Sequence, residues 1–303
     1  MDWKTGDTAG FRRTLTQEDF NRFAALSHDD NPIHVDPAFA AKSHFGATVS
    51  HGMMLYSLIS KGLSELIPGP GSIQLEQELM FPNGTYTGEE ILVSLSVTGV
   101  GSDGSLEIST VISRAEDATN IKTQGRARVA PRGMKPSSAA GSGAARSAPA
   151  EQGGEAFYGL EVGMFTEKKR TFTAADLAEY GNLSGDRNPV LRDADYAREH
   201  GFAGPLVPWP LLGGMFSDML GTHLPGRGTG WMKQKLSYPN CAYPGEELTA
   251  RVEITRLRKE KELVNLRSTI RAADGRLVCD GESLVLVRNL ENKDDKGSGF
   301  GRG

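Results

Sequence analysis

The feature that most constrains this chain is an internal duplication with a fixed spacing. Asp29 and Asp186 lie 157 residues apart, and the same spacing aligns Asn31 with Asn188. It also aligns Thr14 with Thr171, Thr16 with Thr173, Asp19 with Asp176, Leu26 with Leu183, Asp36 with Asp193, Pro68-Gly69 with Pro225-Gly226, Pro82-Asn83 with Pro239-Asn240, and Gly88-Glu89-Glu90 with Gly245-Glu246-Glu247. Gapless agreement over the length of a domain indicates two similar domains rather than one shared loop.

Size and composition agree with two globular domains. The chain has 303 residues, of which 38% are hydrophobic and 24% charged, so each half can bury a core. No apolar run approaches the roughly 20 residues of a membrane helix, and the first residues lack the basic and apolar regions of a signal peptide. We therefore expect a cytoplasmic protein.

Charge and cysteine content argue against several classes of protein, although they leave room for a local basic patch that binds a phosphorylated ligand. The net charge of -4 and the pI near 5.9 argue against a nucleic-acid-binding or anionic-membrane surface, since both need a cationic excess. Cys241 and Cys279 are far apart and have no partners at metal-ligand spacing. We predict neither a disulfide framework nor a metal centre.

Each half follows the same order of predicted elements. Thr16 begins a short helix with a capping pattern, a polar loop follows, and Pro37 opens a second short helix. The run 49–63 has little charge and predicts a buried central helix. Strands are predicted at 73–81, 90–100, 106–113 and 121–130 because these ranges alternate or are rich in β-branched residues.

The predicted fold class is α+β, with an antiparallel meander wrapped around one long helix in each half. We place the N-terminal domain at 1–131 and the C-terminal domain at 157–290. Residues 132–156 are rich in Ala, Gly, Ser and Pro and predict a flexible linker long enough for the two domains to pair. Residues 291–303 predict a disordered tail.

The loop 27–36 contains the candidate catalytic residues of the N-terminal half. Asp29 and His34 lie five positions apart around an Asn31-Pro32 turn, and such a pair can move protons. In the C-terminal half Leu191 replaces His34, although Asp186 remains. The turn therefore does not need the imidazole, which favours a functional role for His34.

These motifs resemble a known family. The run from Asp29 to Asp36, then His51-Gly52-Met53, Pro68-Gly69 and Gly71-Ser72-Ile73, is similar to the MaoC-like (R)-specific enoyl-CoA hydratases. The resemblance covers most of 14–130, and 158–290 looks like a second domain of the same kind. It implies a double hot-dog fold, with each long helix wrapped by an antiparallel sheet. His28 departs from the Gly that is common in the family.

The resemblance implies a reversible addition of water to a trans-2-enoyl-CoA thioester. Asp29 would act as general base, and His34 would hold the same water and help return a proton to the α-carbon. The backbone N–H of Gly52 would stabilise the charge on the thioester oxygen at a helix N-terminus. Asn31, His51 and Ser60 would bind substrate or hold the loop. The reaction needs no cofactor and no metal, and coenzyme A is part of the substrate.

Each of these residues has a structural alternative. Asp29 could serve only as a turn or cap, His51 could anchor the start of the helix, and Ser60 could be a packing residue because Ser217 matches it in the other half. A metal site around Asp29 and His34 lacks a recognised ligand spacing.

The C-terminal half is expected to be inactive and to serve as a partner. Leu191 and the run Pro208-Trp209-Pro210 remove the imidazole and the small residue at the helix start. The two domains should pair within one chain, with a homodimer also open, and the run 204–214 suggests a wider acyl pocket. Alternative functions are a 3-hydroxyacyl-carrier-protein dehydratase, a dehydratase of branched or dicarboxylic acyl-CoA, and a non-catalytic thioester-binding or scaffold subunit.

Overall fold

The computed structural model describes residues 3–132, 157–290 and 301–302. The N-terminal half has five strands and four helices in these ranges. They are β1 (Thr8–Thr14), α1 (Gln17–Ser27), α2 (Pro32–Val35), α3 (Pro37–Ala40), α4 (Gly52–Glu65), β2 (Ile73–Met80), β3 (Glu90–Val100), β4 (Leu106–Arg114) and β5 (Asp117–Ala130).

The C-terminal half repeats this order. Its elements are β6 (Met164–Thr171), α5 (Ala174–Ser184), α6 (Pro189–Arg192), α7 (Ala194–Glu199), α8 (Trp209–Thr222), β7 (Gly230–Ser237), β8 (Glu247–Arg258), β9 (Leu263–Ala272) and β10 (Leu277–Leu286). A two-residue strand, β11 (Gly301–Arg302), pairs with β6. The predicted linker lies mostly outside the described residues, as does the tail apart from these two residues.

Matching caps begin and end the first helix of each half. Thr16 and Thr173 each form a capping box with the aspartate three residues later, which satisfies backbone N–H groups at the helix start. Each helix ends on a left-handed residue, His28 with φ 63° and Gly185 with φ 74°. His28 therefore keeps the backbone shape that glycine has in the other half, so its departure from the family pattern does not change the loop entry.

The central helices α4 and α8 pack against each other within the sheet. Most residues of α4 are buried, as its low charge predicts, and α8 is buried over nearly its whole length. The α4 helix begins at Gly52, three residues after the start of the predicted helical run. This packing places each central helix against the polar loop of the opposite half.

The eleven strands form one sheet in the order β1-β3-β4-β5-β2-β7-β10-β9-β8-β6-β11. The fold is α+β, as predicted. The prediction of a simple meander is wrong in detail, because β2 pairs with β5 and not with β3, and β1 was not predicted. The edge of β2 that does not pair with β5 pairs with β7, and this pairing joins the two halves into one sheet.

Two arginines, the half-buried Arg13 and the buried Arg170, tie the halves together reciprocally. Arg13 donates from Nη1 to the carbonyl of Leu183 at 2.8 Å, and Arg170 donates from Nη1 to the carbonyl of Ser27 at 2.8 Å. Each guanidinium thus caps the last carbonyls of the opposite half's first helix. In the described ranges no helix is both long and apolar enough to cross a membrane.

Candidate active site

A cavity of about 330 Å³ opens between the loop of the N-terminal half and helix α8 of the C-terminal half. Both halves contribute to its wall. The lining residues are Asp29, Asn31, Ile33, His34, His44, Phe45, Val49, Ser50, Gly52, Leu55, Phe81, Pro82, Asn83, Gly84 and Thr85 from the first half, and Ser217, Leu220, Gly221, Thr229, Gly230, Trp231, Met232 and Leu286 from the second.

Asp29 is buried, and its carboxylate accepts two hydrogen bonds. Its Oδ2 accepts from Ser217 Oγ at 2.5 Å, and its Oδ1 accepts from the backbone N–H of Asn31 at 3.4 Å. A carboxylate can accept about four hydrogen bonds, so Asp29 keeps acceptor capacity towards the cavity. That capacity is what a general base needs.

His34 lies on the short helix α2 with its ring fixed by one carbonyl. Its Nδ1 is 2.7 Å from the carbonyl oxygen of Val49, and since a carbonyl only accepts, Nδ1 carries the proton. Burial lowers the pKa of His34, against the opposing effects of the Asp29 carboxylate and the Val49 carbonyl. The ring is therefore neutral at pH 7 and leaves the Nε2 lone pair as an acceptor.

His51 supports the loop from behind. Its Nε2 donates to the backbone carbonyl of Asp29 at 2.9 Å, and its ring centroid is 3.7 Å from that of His34. Burial holds the pKa of His51 well below its usual value, and His34 adds to this. His51 does not line the cavity, so this geometry supports the anchoring alternative over direct substrate binding.

Gly52 is the first residue of α4, and its position leaves no room for a side chain. A Cβ on Gly52 would lie 2.8 Å from the ring of Phe81, closer than atoms pack. Its N–H is among the first four of the helix, which have no acceptor within the helix. Gly52 therefore presents an available donor at the positive end of α4, in the cavity wall.

Ser60 does not line the cavity at Asp29. Its hydroxyl donates to Asp186 Oδ2 at 2.7 Å, in the C-terminal half, because α4 packs against that half's loop. The residue beside Asp29 is its counterpart Ser217. Asn31 lies in the cavity wall as expected, where its side chain accepts from the N–H of Ile33 and donates to the carbonyl of Gly221 at 3.3 Å.

Asp186 differs from Asp29 because its oxygens are fully engaged. Donors surround it: Ser60, Ser64 Oγ at 2.6 Å, Tyr180 Oη at 3.2 Å and the N–H of Asn188 at 3.1 Å. At the matching positions beside Asp29 stand Gly221 for Ser64 and Phe23 for Tyr180, which cannot donate. The C-terminal loop is thus built to hold a structural carboxylate.

Leu191 and Trp209 are two further differences between the C-terminal loop and the N-terminal one. Both are buried where the first half has His34 and Gly52. An imidazole and a small residue at the helix start are therefore absent from that loop, and the inactivity of the C-terminal half stays a prediction.

Asp29, His34 and His51 also place potential ligand atoms within 4.8 Å of one another. Two of the ring nitrogens are already committed to carbonyl oxygens, since His34 Nδ1 meets Val49 and His51 Nε2 meets Asp29. These bonds suit neutral histidines in a proton-transfer site. That the reaction needs no metal or cofactor stays a prediction.

Several cavity residues could not be found from the loop alone. Ser217, Leu220, Trp231 and Leu286 come from the second half, and the signal for Ser217 was its alignment with Ser60. The run 204–214, which suggested a wider acyl pocket, does not line the cavity. The contribution of the C-terminal half comes instead from later residues of α8 and from β7.

Comparisons with known proteins agree with this architecture. A family described as "MaoC like domain" matches residues 4–120 and 161–275. The (R)-specific enoyl-CoA hydratase of Aeromonas caviae is 38% identical over 128 residues, which cover 42% of this chain and 96% of that protein. The 3-hydroxybutyryl-CoA dehydratase of Methylorubrum extorquens is 30% identical over 48% of this chain and 93% of its own length.

Solved structures match more than nine tenths of this chain. A MaoC-like dehydratase has a TM-score of 0.74 at 15% identity and covers 93% of this chain and 98% of its own. A conserved hypothetical protein from Mycobacterium tuberculosis with a double hotdog fold has a TM-score of 0.71 at 14% identity, covering 94% and 96%. The predicted double hot-dog fold is confirmed.

Proposed function

Because this chain belongs to the MaoC-like domain family and is a hydro-lyase, we propose that it adds water reversibly to a trans-2-enoyl-CoA thioester to give an (R)-3-hydroxyacyl-CoA. One observation carries the proposal: Asp29, His34 and Gly52 line one cavity, whereas their counterparts in the other half have lost the imidazole and the glycine. The reaction would occur once per chain.

The two side chains can hold one water molecule between them. Asp29 has free acceptor capacity and neutral His34 offers the Nε2 lone pair, so each can accept one of its two hydrogens. As the water oxygen attacks the β-carbon, Asp29 takes one proton and the C=C electrons move towards the thioester oxygen. A general base of this kind is worth ~10²–10⁴ in rate.

The negative charge that forms on the thioester oxygen needs a hydrogen-bond donor, and the backbone N–H of Gly52 supplies one. Its N–H at the start of α4 would bind the thioester oxygen, where loss of such a donor costs ~10²–10³. The proton that Asp29 took from water is then delivered to the α-carbon with help from His34, which completes the addition. In reverse the same groups eliminate water from the hydroxyacyl thioester.

An acyl-carrier-protein thioester is a second candidate substrate. A 3-hydroxyacyl-[acyl-carrier-protein] dehydratase of Solanum lycopersicum is 32% identical over 43% of this chain and 79% of its own length. The reacting groups would be the same, and only the thioester carrier would differ. A non-catalytic thioester-binding subunit is disfavoured by the free acceptor capacity of Asp29. A cytoplasmic location and a homodimer stay predictions.

Hydration of crotonyl-CoA, followed as loss of enoyl thioester absorbance, tests the proposal. We expect turnover by the native protein and a loss of ~10²–10⁴ in Asp29→Ala and in His34→Ala. His200→Ala removes an imidazole outside the cavity and should retain activity. If the native protein hydrates neither enoyl-CoA nor enoyl-carrier-protein substrates of any chain length, the binding-subunit alternative replaces the proposal.

A further inference from the structure

The C-terminal half has a cleft of its own, separate from the cavity at Asp29. Its volume is about 560 Å³, within the range of small-molecule sites. We call it the C-terminal cleft, and its lining residues are Ala174, Leu177, Ala178, Tyr180, Gly181, Asn182, Gly185, Asp186, Arg187, Leu191, Arg192, Pro205 and Pro244. None of these residues lines the cavity at Asp29.

In the N-terminal half the matching place is filled by Gln17. Its Nε2 donates to the carbonyl of His34 at 2.9 Å and to Asn21 Oδ1 at 3.0 Å. Its Oε1 accepts from Thr48 Oγ1 at 2.5 Å and from Thr87 Oγ1 at 3.4 Å. Four polar side chains thus close the groove between α1, α2 and the segments that precede α4 and β3.

All four of these side chains are replaced together in the C-terminal half. The counterparts of Gln17 and Asn21 are Ala174 and Ala178, and those of Thr48 and Thr87 are Pro205 and Pro244. All four replacements line the cleft, and none has a side-chain hydrogen-bonding group. Their combined effect is to open the groove and give it an apolar floor with Leu177 and Leu191.

The same loop gains positive charge. Arg187 stands where the first half has Asp30, and Arg192 stands where it has Val35. Both arginines line the cleft, and neither has an acidic partner among the described residues. Lys61 of α4 lies behind this wall, since its Nζ would be 3.2 Å from a Cβ on Gly185, but it does not line the cleft.

The one carboxylate in the cleft wall does not compete for these cations. Asp186 is buried and already accepts hydrogen bonds from Ser60, Ser64, Tyr180 and the backbone. Guanidinium groups without a carboxylate partner bind carboxylate and phosphate oxygens through paired N–H donors. The cleft therefore combines an apolar floor with a cationic rim.

We propose that the C-terminal cleft binds a small organic oxyanion. A carboxylate or phosphate group would be held by Arg187 and Arg192, and an attached apolar group would pack on Leu177, Leu191 and the two prolines. The C-terminal half would thus be a ligand-binding domain in its own right as well as a wall of the catalytic cavity. This role does not depend on the identity of the reaction.

Calorimetric titration of the full chain at low salt tests the proposal with three probes. Hexanoate and hexyl phosphate carry the two oxyanions on the same apolar chain, and hexan-1-ol carries the chain alone. We expect one or both anions to bind and the alcohol not to bind. The stronger anion identifies the head group, and absence of binding by both anions up to about 10 mM would overturn the proposal.

Variants locate the binding in the cleft. Arg187→Gln with Arg192→Gln should weaken anion binding at least about tenfold, because charge-assisted hydrogen bonds are lost. Ala174→Gln with Ala178→Asn restores the side chains that fill the groove in the other half and should also block binding. Arg126→Gln with Arg256→Gln removes the same two charges from exposed positions outside the cleft and is the matched control. Equal affinity in all three variants would place the anion elsewhere and contradict the proposal.

Discussion

At the scale of single residues, two aspartates in matching positions have different surroundings. Asp186 accepts from side-chain and backbone donors on both oxygens, whereas Asp29 accepts from Ser217 and one backbone N–H. Asp29→Asn should therefore lower kcat by ~10²–10⁴ with little change in stability, since the amide oxygen still accepts from Ser217. Asp186→Asn should lower the free energy of unfolding by ~1–3 kcal/mol, since its NH₂ group faces donors, and leave kcat near the native value.

Enoyl-CoA hydration and urea unfolding of both variants check this pair of outcomes. Equal losses of activity in the two variants would mean that the carboxylates share one structural role.

Gly221 shows how the acceptor capacity of Asp29 is preserved. It aligns with Ser64, which donates to Asp186, and a Cβ on Gly221 would lie 4.0 Å from Asp29 Oδ1. Gly221→Ser should place a second hydroxyl donor on Asp29 and weaken it as a base, lowering kcat about tenfold. Gly221→Ala, which adds the Cβ without the hydroxyl, controls for crowding against Asn31. Identical kcat values for the two variants would show that only bulk matters at this position.

His51 and His34 should make the folded state sensitive to acid. Burial lowers the pKa of both below the ordinary value of 6.5, so below that pH the unfolded chain binds protons that the folded chain does not. The free energy of unfolding should therefore be full above pH 6.5 and fall as the pH drops below it, by up to about 1.4 kcal/mol per pH unit for each histidine.

His51→Gln removes one of these groups and keeps an N–H donor for the carbonyl of Asp29. Its unfolding free energy should vary less steeply between pH 6.5 and about 5 than that of the native protein, as measured by urea titration at each pH. Parallel pH profiles would contradict the assignment of a buried neutral imidazole to His51.

At the scale of elements, the start of α4 depends on the contact between Gly52 and Phe81. A methyl group on Gly52 would meet the Phe81 ring at 2.8 Å, so Gly52→Ala must move the ring or the helix start. We expect kcat/KM for crotonyl-CoA to fall ~10²-fold through misplacement of the N–H donor.

Phe81→Leu in the Gly52→Ala background removes the ring atoms that clash and should recover part of this loss. Gly204→Ala is the matched control, since a Cβ there meets nothing within 4 Å. No recovery in the double variant would indicate that Gly52 is required for another reason.

The sequence predicted the helices and strands better than it predicted which of them pack or pair with one another. The capping patterns at Thr16 and Thr173 and the low charge of α4 are local signals, and the structure confirms the helices that they indicate. Ser60 was assigned to the pocket from the family resemblance, which does not say which half of the chain its side chain faces. That depends on α4 packing against α8, which is a tertiary contact without a local pattern.

The sheet likewise shows that local patterns predict strands but not their pairing. Strand β3 was predicted with its observed bounds from alternation and β-branched residues, but the place of β2 in the sheet was not predicted. Pairing between β2 and β7 joins residues of two domains, so no signal within one domain could reveal it. Trp231, which follows the start of β7, consequently entered the cavity wall without being anticipated.

At the scale of the whole molecule, each half completes the other. Ser217 reaches Asp29, Ser60 reaches Asp186, and Arg13 and Arg170 cap helices across the interface. Because these bonds and the β2–β7 pairing hold the halves together, activity should not require the covalent connection between them. Residues 1–132 and 157–303 co-expressed as two chains should co-purify and hydrate crotonyl-CoA at a rate near that of the intact chain.

Residues 1–132 alone should be inactive, even if they pair with themselves. In such a pair the α4 helix of one copy would take the place of α8, so each Asp29 would meet the Ser64 hydroxyl where it now faces Gly221. The carboxylate would then accept a hydrogen bond from one more side-chain donor than it does now, and it would lose basicity. Full activity of the isolated N-terminal half would show that the divergence of the C-terminal half is not needed to keep Asp29 available for catalysis.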